Sequence, residues 1–370
     1  MTEFERIVLR GEPYDRGYEH GERFSGAVAA NVETYERRFE HERVDLDTLR
    51  DGAQRYVGLI ERENPSYAAE MCGIAEGSGV SLTDVAMLNV RWEVLYPAWK
   101  EGIEGTDATN GATEPPVDGC TSFGVRPPAT TDGDCYVGQN WDWLSPIAET
   151  VFLVELRRED APDALYMTEA GIVGGKIGLN EHGIGLAVNG LISTEDGENE
   201  FEKPYHVRFR EILDAERFDD ALGPIVETDR VCSANVLLGH AAGEIIDLEA
   251  APTGVAPLYP DEGILTHSNH FVSGVAESVN ERRSPSTLYR ASRLRRLLAE
   301  NHGAIGEEAI GGALRDHFGH PASICKHVDT ALPEEEYGRT NASLILDLGE
   351  RRILAVRGPP CEGEYREYAL

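Results

Sequence analysis

The chain has 370 residues, 66 acidic against 34 basic side chains, a formal net charge of −32 and 41% hydrophobic residues. Acidity spread along the whole chain argues against nucleic acid and against anionic membrane surfaces as partners, since both would repel it. No basic-then-apolar leader and no apolar run of about 18 residues is present, so the sequence reads as a cytoplasmic protein without a membrane span.

The cations are 30 Arg and only 4 Lys (Lys100, Lys176, Lys203, Lys326). With so many acids this suggests adaptation to concentrated salt, which would screen the self-repulsion. An acidic patch for a cationic partner is the alternative. The six cysteines (Cys72, Cys120, Cys135, Cys232, Cys325, Cys361) form no CxxC pair, so the spacing signals neither a zinc site nor a disulfide framework, and no metal is expected.

In chain order, Ile7–Leu9 is a short apolar run, and spaced apolar residues from Tyr14 to about Glu42 predict one amphipathic helix. Leu49–Glu63 and Ser66–Glu76 predict two more. Ser81, with Asp84 three residues on, has the capping-box arrangement and opens another helix. Residues 101–118 are Gly, Thr, Glu, Asp and Pro with almost no apolar side chain, which predicts an exposed acidic linker.

Beyond the linker the pattern becomes β-prone. Thr121–Val125, Cys135–Trp143, Val151–Leu156, Ile172–Leu179 and Ile184–Leu191 read as strands. His206–Arg217 reads as a helix, Asn235–Gly239 and Glu244–Leu248 as a hairpin, Ser286–Glu300 and Glu307–Phe318 as helices, and Ala342–Leu348 with Arg351–Val356 as a closing hairpin. The expected class is α+β, a layered sandwich, with residues 1–119 a mainly helical segment and 120–370 the sheet-rich remainder.

The most telling stretch is Asp118-Gly119-Cys120-Thr121-Ser122, a glycine and a thiol where the linker becomes the first strand. Gly119 removes bulk, so the thiol could reach the preceding carbonyl carbon and cleave the Gly119–Cys120 bond by an N-to-S acyl shift and hydrolysis. The freed α-amine of Cys120, with an ordinary pKa near 8, could then serve as the thiol's own base. Taken alone, a cysteine at a strand start is more often a small buried hydrophobe.

Several blocks decide between these readings. Gly11-Glu12-Pro13-Tyr14-Asp15-Arg16-Gly17-Tyr18-Glu19-His20-Gly21, Glu70 to Ser81, Asp118 to Thr121, Gly138-Gln139-Asn140-Trp141-Asp142-Trp143, Thr266-His267-Ser268-Asn269-His270-Phe271 and Gly358-Pro359-Pro360-Cys361-Glu362 resemble, in order, patterns of the acyl-coenzyme A:isopenicillin N acyltransferase family of self-processing N-terminal-nucleophile (Ntn) hydrolases. The resemblance implies a four-layer αββα Ntn-hydrolase sandwich. It also implies self-cleavage into a helical α-chain and a larger β-chain that stay together as a heterodimer, and acyl transfer through a thioester on Cys120.

By the same resemblance Asp142 is the acid beside the nucleophile and Asn269 the oxyanion donor. Asn189, Arg290 and Arg339 are candidates for substrate or oxyanion support, each equally readable as an ordinary structural or surface residue. His267 and His270 are taken as structural, because an i, i+3 pair without a third ligand does not make a metal site. No cofactor is implied. The expected substrate is a small N-acyl compound or an acyl thioester such as acyl-coenzyme A. Two rivals remain open: a catalytically silent small-molecule-binding protein on the same fold, uncleaved at Gly119–Cys120, and a papain-like Cys–His enzyme, for which no His is nominated.

Overall fold

The structure is a computed structural model that describes residues 3–42, 44–104, 119–131, 133–282 and 284–370, with only the backbone of 98–104. Its helical part is built on four glycines. β1 (Arg6–Leu9) leads into α1 (Pro13–Arg23), α2 (Ser25–His41), α3 (Leu46–Glu63), α4 (Pro65–Ser78), α5 (Leu82–Asn89) and α6 (Arg91–Glu104). On α1, a Cβ at Gly17 would lie 2.0 Å from the Glu70 carbonyl oxygen, and one at Gly21 2.4 Å from that of Ile74. On α4, Gly73 and Gly77 meet the Tyr14 and Tyr18 carbonyl oxygens at 2.1 and 2.3 Å on the same construction. Two Gly-x-x-x-Gly pairs therefore bring the helix backbones together, and Glu70 locks the crossing by accepting from Arg16 Nε at 3.0 Å and from Arg210 Nη2 at 2.6 Å.

Local caps explain where these helices begin. Asp45 accepts from the Thr48 N–H at 2.9 Å, Asn64 from the Tyr67 N–H at 3.1 Å, and Ser81 from the Asp84 N–H at 3.1 Å, each satisfying a donor the helix cannot. Two expectations are corrected here. The single helix over Tyr14–Glu42 is broken at Phe24, whose ring leaves the helical path to stack on Phe152 at 3.9 Å. Residues 101–104 of the expected linker belong to α6; the remainder of it, 105–118, lies outside the described residues.

After residue 119 come β2 (Thr121–Val125), β3 (Tyr136–Leu144), β4 (Val151–Leu156), β5 (Ala164–Glu169), β6 (Ile177–Asn180) and β7 (Ile184–Gly190). Then follow α7 (Tyr205–Leu213), α8 (Phe218–Val226), β8 (Ala234–His240), β9 (Glu244–Ala251), β10 (Gly254–Leu258), β11 (Ile264–His267), α9 (Thr287–Ala299), α10 (Glu307–Leu314), β12 (Gly338–Asp347), β13 (Arg352–Arg357) and β14 (Arg366–Ala369). The strand expected from Ile172 begins only at Ile177, because Gly174 and Gly175 pack directly on His206 and Tyr166. α10 stops at Leu314, not at Phe318.

Two sheets result, ordered β1-β4-β5-β6-β7-β8-β9-β10 and β11-β2-β3-β12-β13-β14. They face each other through β2 and β3 against β7 and β8, with α7 outside the larger sheet and α9 and α10 outside the smaller. The class is α+β with α, β, β and α layers. β1, from ahead of Cys120, pairs in parallel with β4, and one buried apolar cluster runs from the N-terminal helices into both sheets. No helix among the described residues is long and apolar enough to cross a membrane.

Candidate active site

Strand register converges on Cys120. β2 pairs with β3 (Thr121 opposite Asn140) and with β11 (His267 opposite Ser122). Continued past those pairs, the registers set Trp141 and Asn269 on either side of Cys120, and Asp142 opposite Gly119. Cys120 is buried, with its Sγ 3.7 Å from the Asp142 carbonyl oxygen. Because side chains alternate along a strand, Cys120 and Ser122 face the space between the sheets while Thr121 faces α9.

From α9, Arg290 reaches the backbone at this point. Its Nη1 donates to the carbonyl oxygen of Gly119, to that of Cys120 at 2.6 Å and to Thr121 Oγ1 at 2.8 Å. Its Nη2 donates to Asn269 Oδ1 at 2.8 Å. Arg290 is 1% exposed, so the guanidinium acts in a low-dielectric setting, where charge-assisted hydrogen bonds are strong.

Asn269 is held on every side. Its Nδ2 donates to Gly190 O at 3.0 Å, its backbone N–H to Thr287 Oγ1 at 2.7 Å, and its carbonyl accepts from Asn280 Nδ2 at 2.8 Å. One of its two amide protons remains for another acceptor. The loop that carries it is anchored by Glu249, which bonds His267 Nε2 at 2.8 Å and accepts from the Val272 and Ser273 N–H groups. Burial opposes charge on both partners, yet the pairing wins: the His267 pKa is raised, mainly by Glu249 and Asp247, and that of Glu249 is lowered. His267 is thus structural. His270 accepts or donates at Thr287 Oγ1, 3.0 Å away, and also supports this loop.

On the other flank, Asp142 Oδ1 accepts from Thr340 Oγ1 at 2.6 Å, and Thr340 Oγ1 in turn accepts from the Lys326 N–H at 2.9 Å. A Cβ at Gly119 would come within 2.9 Å of both Asp142 Oδ2 and Lys326 Nζ, so a carboxylate and an ammonium crowd the residue before the cysteine. From the opposite sheet, Asn189 Oδ1 accepts from Ser122 Oγ at 2.6 Å and from Asn235 Nδ2 at 3.1 Å. Its Nδ2 is buried without a partner among the described residues. Gln139, opposite Ser122, accepts from the Val188 N–H at 2.6 Å and likewise leaves its buried Nε2 unpaired.

Behind Trp141 the core holds a buried charge network. Glu169 accepts from Arg91 at 2.6 Å, Lys176 at 2.7 Å and Tyr35 Oη at 2.7 Å, and the Lys176 ammonium lies 5.3 Å from the Trp141 ring centroid. Burial would raise the Glu169 pKa, but Arg91 and Lys176 hold it low. A cleft of about 1160 Å³ elsewhere, lined by Glu307, Glu308, Asp347 and Arg352 among others, contains none of the junction residues.

The structure therefore brings Gly119, Cys120, Asp142, Asn189, Asn269 and Arg290 together. Arg339, on the strand just before Thr340, is partly exposed and lies 4.0 Å from Glu149. Sequence reasoning missed Lys326, Thr340 and the role of Gln139. Lys326 carried a signal, as one of four lysines in an arginine-rich chain, whereas Thr340 carried none because its partner Asp142 is 198 positions away.

A sequence model of the acyl-coenzyme A:6-aminopenicillanic acid acyl-transferase family matches residues 129–344. The chain belongs to that family. It is 26% identical over 360 residues to the acyl-coenzyme A:6-aminopenicillanic-acid-acyltransferase 40 kDa form of Emericella nidulans, covering 96% of this chain and 92% of that one. Among solved structures it is similar to the Caenorhabditis elegans N-acylethanolamine-hydrolyzing acid amidase ortholog, at 16% identity and TM-score 0.46 over 62% of this chain and 93% of that one. A conjugated bile acid hydrolase variant from Clostridium perfringens aligns at 12% identity and TM-score 0.47, covering 68% of this chain and 97% of that one. Penicillin V acylase from Agrobacterium tumefaciens aligns at 11% identity and TM-score 0.43, over 64% and 82%.

Proposed function

We propose that the protein cleaves its own Gly119–Cys120 bond and then works as a cysteine Ntn amidohydrolase or acyltransferase on a small N-acyl compound or acyl thioester. The observation that carries this reading is Arg290 donating to the Gly119 carbonyl oxygen, the oxygen on which charge would develop as the bond is cut. Cys120 Sγ adds to the Gly119 carbonyl carbon, the C–N bond breaks, and the Cys120 nitrogen takes up a proton to become an amine. Water then hydrolyses the thioester, leaving a Gly119 carboxylate and a free thiol.

In the mature enzyme the α-amine of Cys120 accepts the thiol proton and returns it to the leaving amine. Asp142 steadies the ammonium form of that amine. The unpaired amide N–H groups of Asn189 and Asn269 stabilise the oxyanion of the attacked substrate carbonyl. The acyl group passes from Cys120 to water or to an amine. The acyltransferase of Emericella nidulans to which the chain is 26% identical supports this chemical class.

Expression followed by intact-mass measurement tests the proposal. Two fragments meeting at Gly119–Cys120 are expected, and a full-length chain holding a small molecule without turnover would point instead to a silent binding protein. The charge balance further suggests a salt-adapted protein, whose melting temperature should rise with added KCl.

A further inference from the structure

We propose that His317, Cys325, His327 and Cys361 form a tetrahedral structural zinc site. The four come from three stretches brought together by the fold: the turn after α10, the segment leading to β12, and the short turn after β13. Their ligand atoms all lie within 4.8 Å of one another. Two imidazoles and two thiols are the donor set of Cys₂His₂ zinc centres.

The spacing supports a shared ion. Tetrahedral zinc with N at about 2.05 Å and S at about 2.3 Å requires N···N near 3.3 Å and N···S near 3.6 Å. Here His317 Nε2 and His327 Nε2 are 3.1 Å apart, and His327 Nε2 lies 3.7 Å from Cys325 Sγ and 3.4 Å from Cys361 Sγ. Hydrogen bonding at His327 Nε2 does not satisfy all of these neighbours together. A ring nitrogen has either one proton or one lone pair, yet three heteroatoms crowd around His327 Nε2. A cation at their centre satisfies all four at once. Glu362, 3.6 Å from His327 Nδ1, stands where a carboxylate orients a zinc-bound imidazole.

Four protein ligands leave no open coordination position, so the ion holds structure and takes no part in the reaction. What it holds is close to the junction. Lys326 lies between two of the ligands, and its ammonium borders Gly119 and Asp142. Binding zinc displaces the two thiol protons, ties Cys325 and His327 to Cys361, and so fixes the segment that presents Lys326.

The test is metal analysis of untagged protein purified under reducing conditions and desalted after exposure to stoichiometric zinc. About one zinc per chain is expected. Cys361→Ser and His317→Ala, both at exposed ligands, should each lose most of it, while Cys72→Ser, outside the cluster, should retain it. Cobalt in place of zinc should give thiolate-to-cobalt charge-transfer absorption that Cys361→Ser weakens. Protein without bound metal, metal that survives both ligand substitutions, or a Cys325–Cys361 disulfide found by mass in the reduced preparation would overturn the proposal. None of these readouts depends on cleavage at Gly119–Cys120, so the site stands or falls apart from the proposed activity.

Discussion

At the α1–α4 crossing, four glycines lay one helix backbone against another; at the junction, Gly119 lays its backbone against Asp142, Lys326 and Arg290. Both places lie in stretches that resemble the same family, and both depend on a missing side chain. The neighbours differ, and with them the consequence. Backbone meeting backbone serves packing, while backbone meeting an arginine, an acid and an amine sets charged groups at the peptide bond where cleavage is proposed.

That contrast can be broken first at the thiol. Cys120→Ala should abolish cleavage and lower kcat by about 10⁶-fold, measured by intact mass and by turnover of N-acyl substrates; residual self-cleavage in this variant would remove the nucleophile assignment. Next, Arg290→Leu should slow cleavage by about 10²–10³-fold, as expected for loss of an oxyanion donor, and time-resolved mass spectrometry would show it. Arg339→Ala, by comparison, should leave the cleavage rate unchanged.

Among the packing glycines, Gly73→Ala should destabilise the fold by about 3 kcal/mol, because backbone must move aside, with chemical denaturation as the measure. If it instead slowed cleavage without loss of stability, the division between packing and chemistry would fail. A pH-dependent effect sits beside that crossing. His20 accepts from the Gly171 N–H at 3.0 Å, and burial lowers its pKa to about 3. A lowered histidine leaves the unfolded chain binding more protons below about pH 6.5, so it removes up to about 1.4 kcal/mol per pH unit as pH falls from there towards 3. His20→Gln, which keeps an acceptor without titrating, should shift acid unfolding to lower pH in a circular-dichroism titration.

The parts of the fold read from sequence were those set locally. β2 and β4 match their apolar runs residue for residue, and Ser81 caps α5 through Asp84 as its spacing predicts. β5 was missed because Ala164, Leu165 and Met167 favour helix when considered alone, and its strand state comes from pairing with β4 and β6. The break at Phe24 also depends on a distant partner, Phe152.

For the site, resemblance nominated Cys120, Asp142 and Asn269, with Arg290 only one of three less specific candidates, and strand register explains why the first three meet. Spacing could not separate Arg290 from Arg339, since only the packing of α9 on β11 and β2 decides which guanidinium faces the junction. The Cys–His cluster escaped notice for the same reason: its ligands span positions 317 to 361 without a CxxC pair, and α10 ending at Leu314 is what frees His317 to join them.

On the proposed mechanism, the Cys120 thiol makes its own residue N-terminal. The most direct measurement is N-terminal sequencing of the purified active protein, combined with aldehyde labelling. A fragment beginning at Cys120 that forms a thiazolidine is expected, with that adduct abolishing turnover. Full activity in a chain still continuous through Gly119–Cys120 would contradict it.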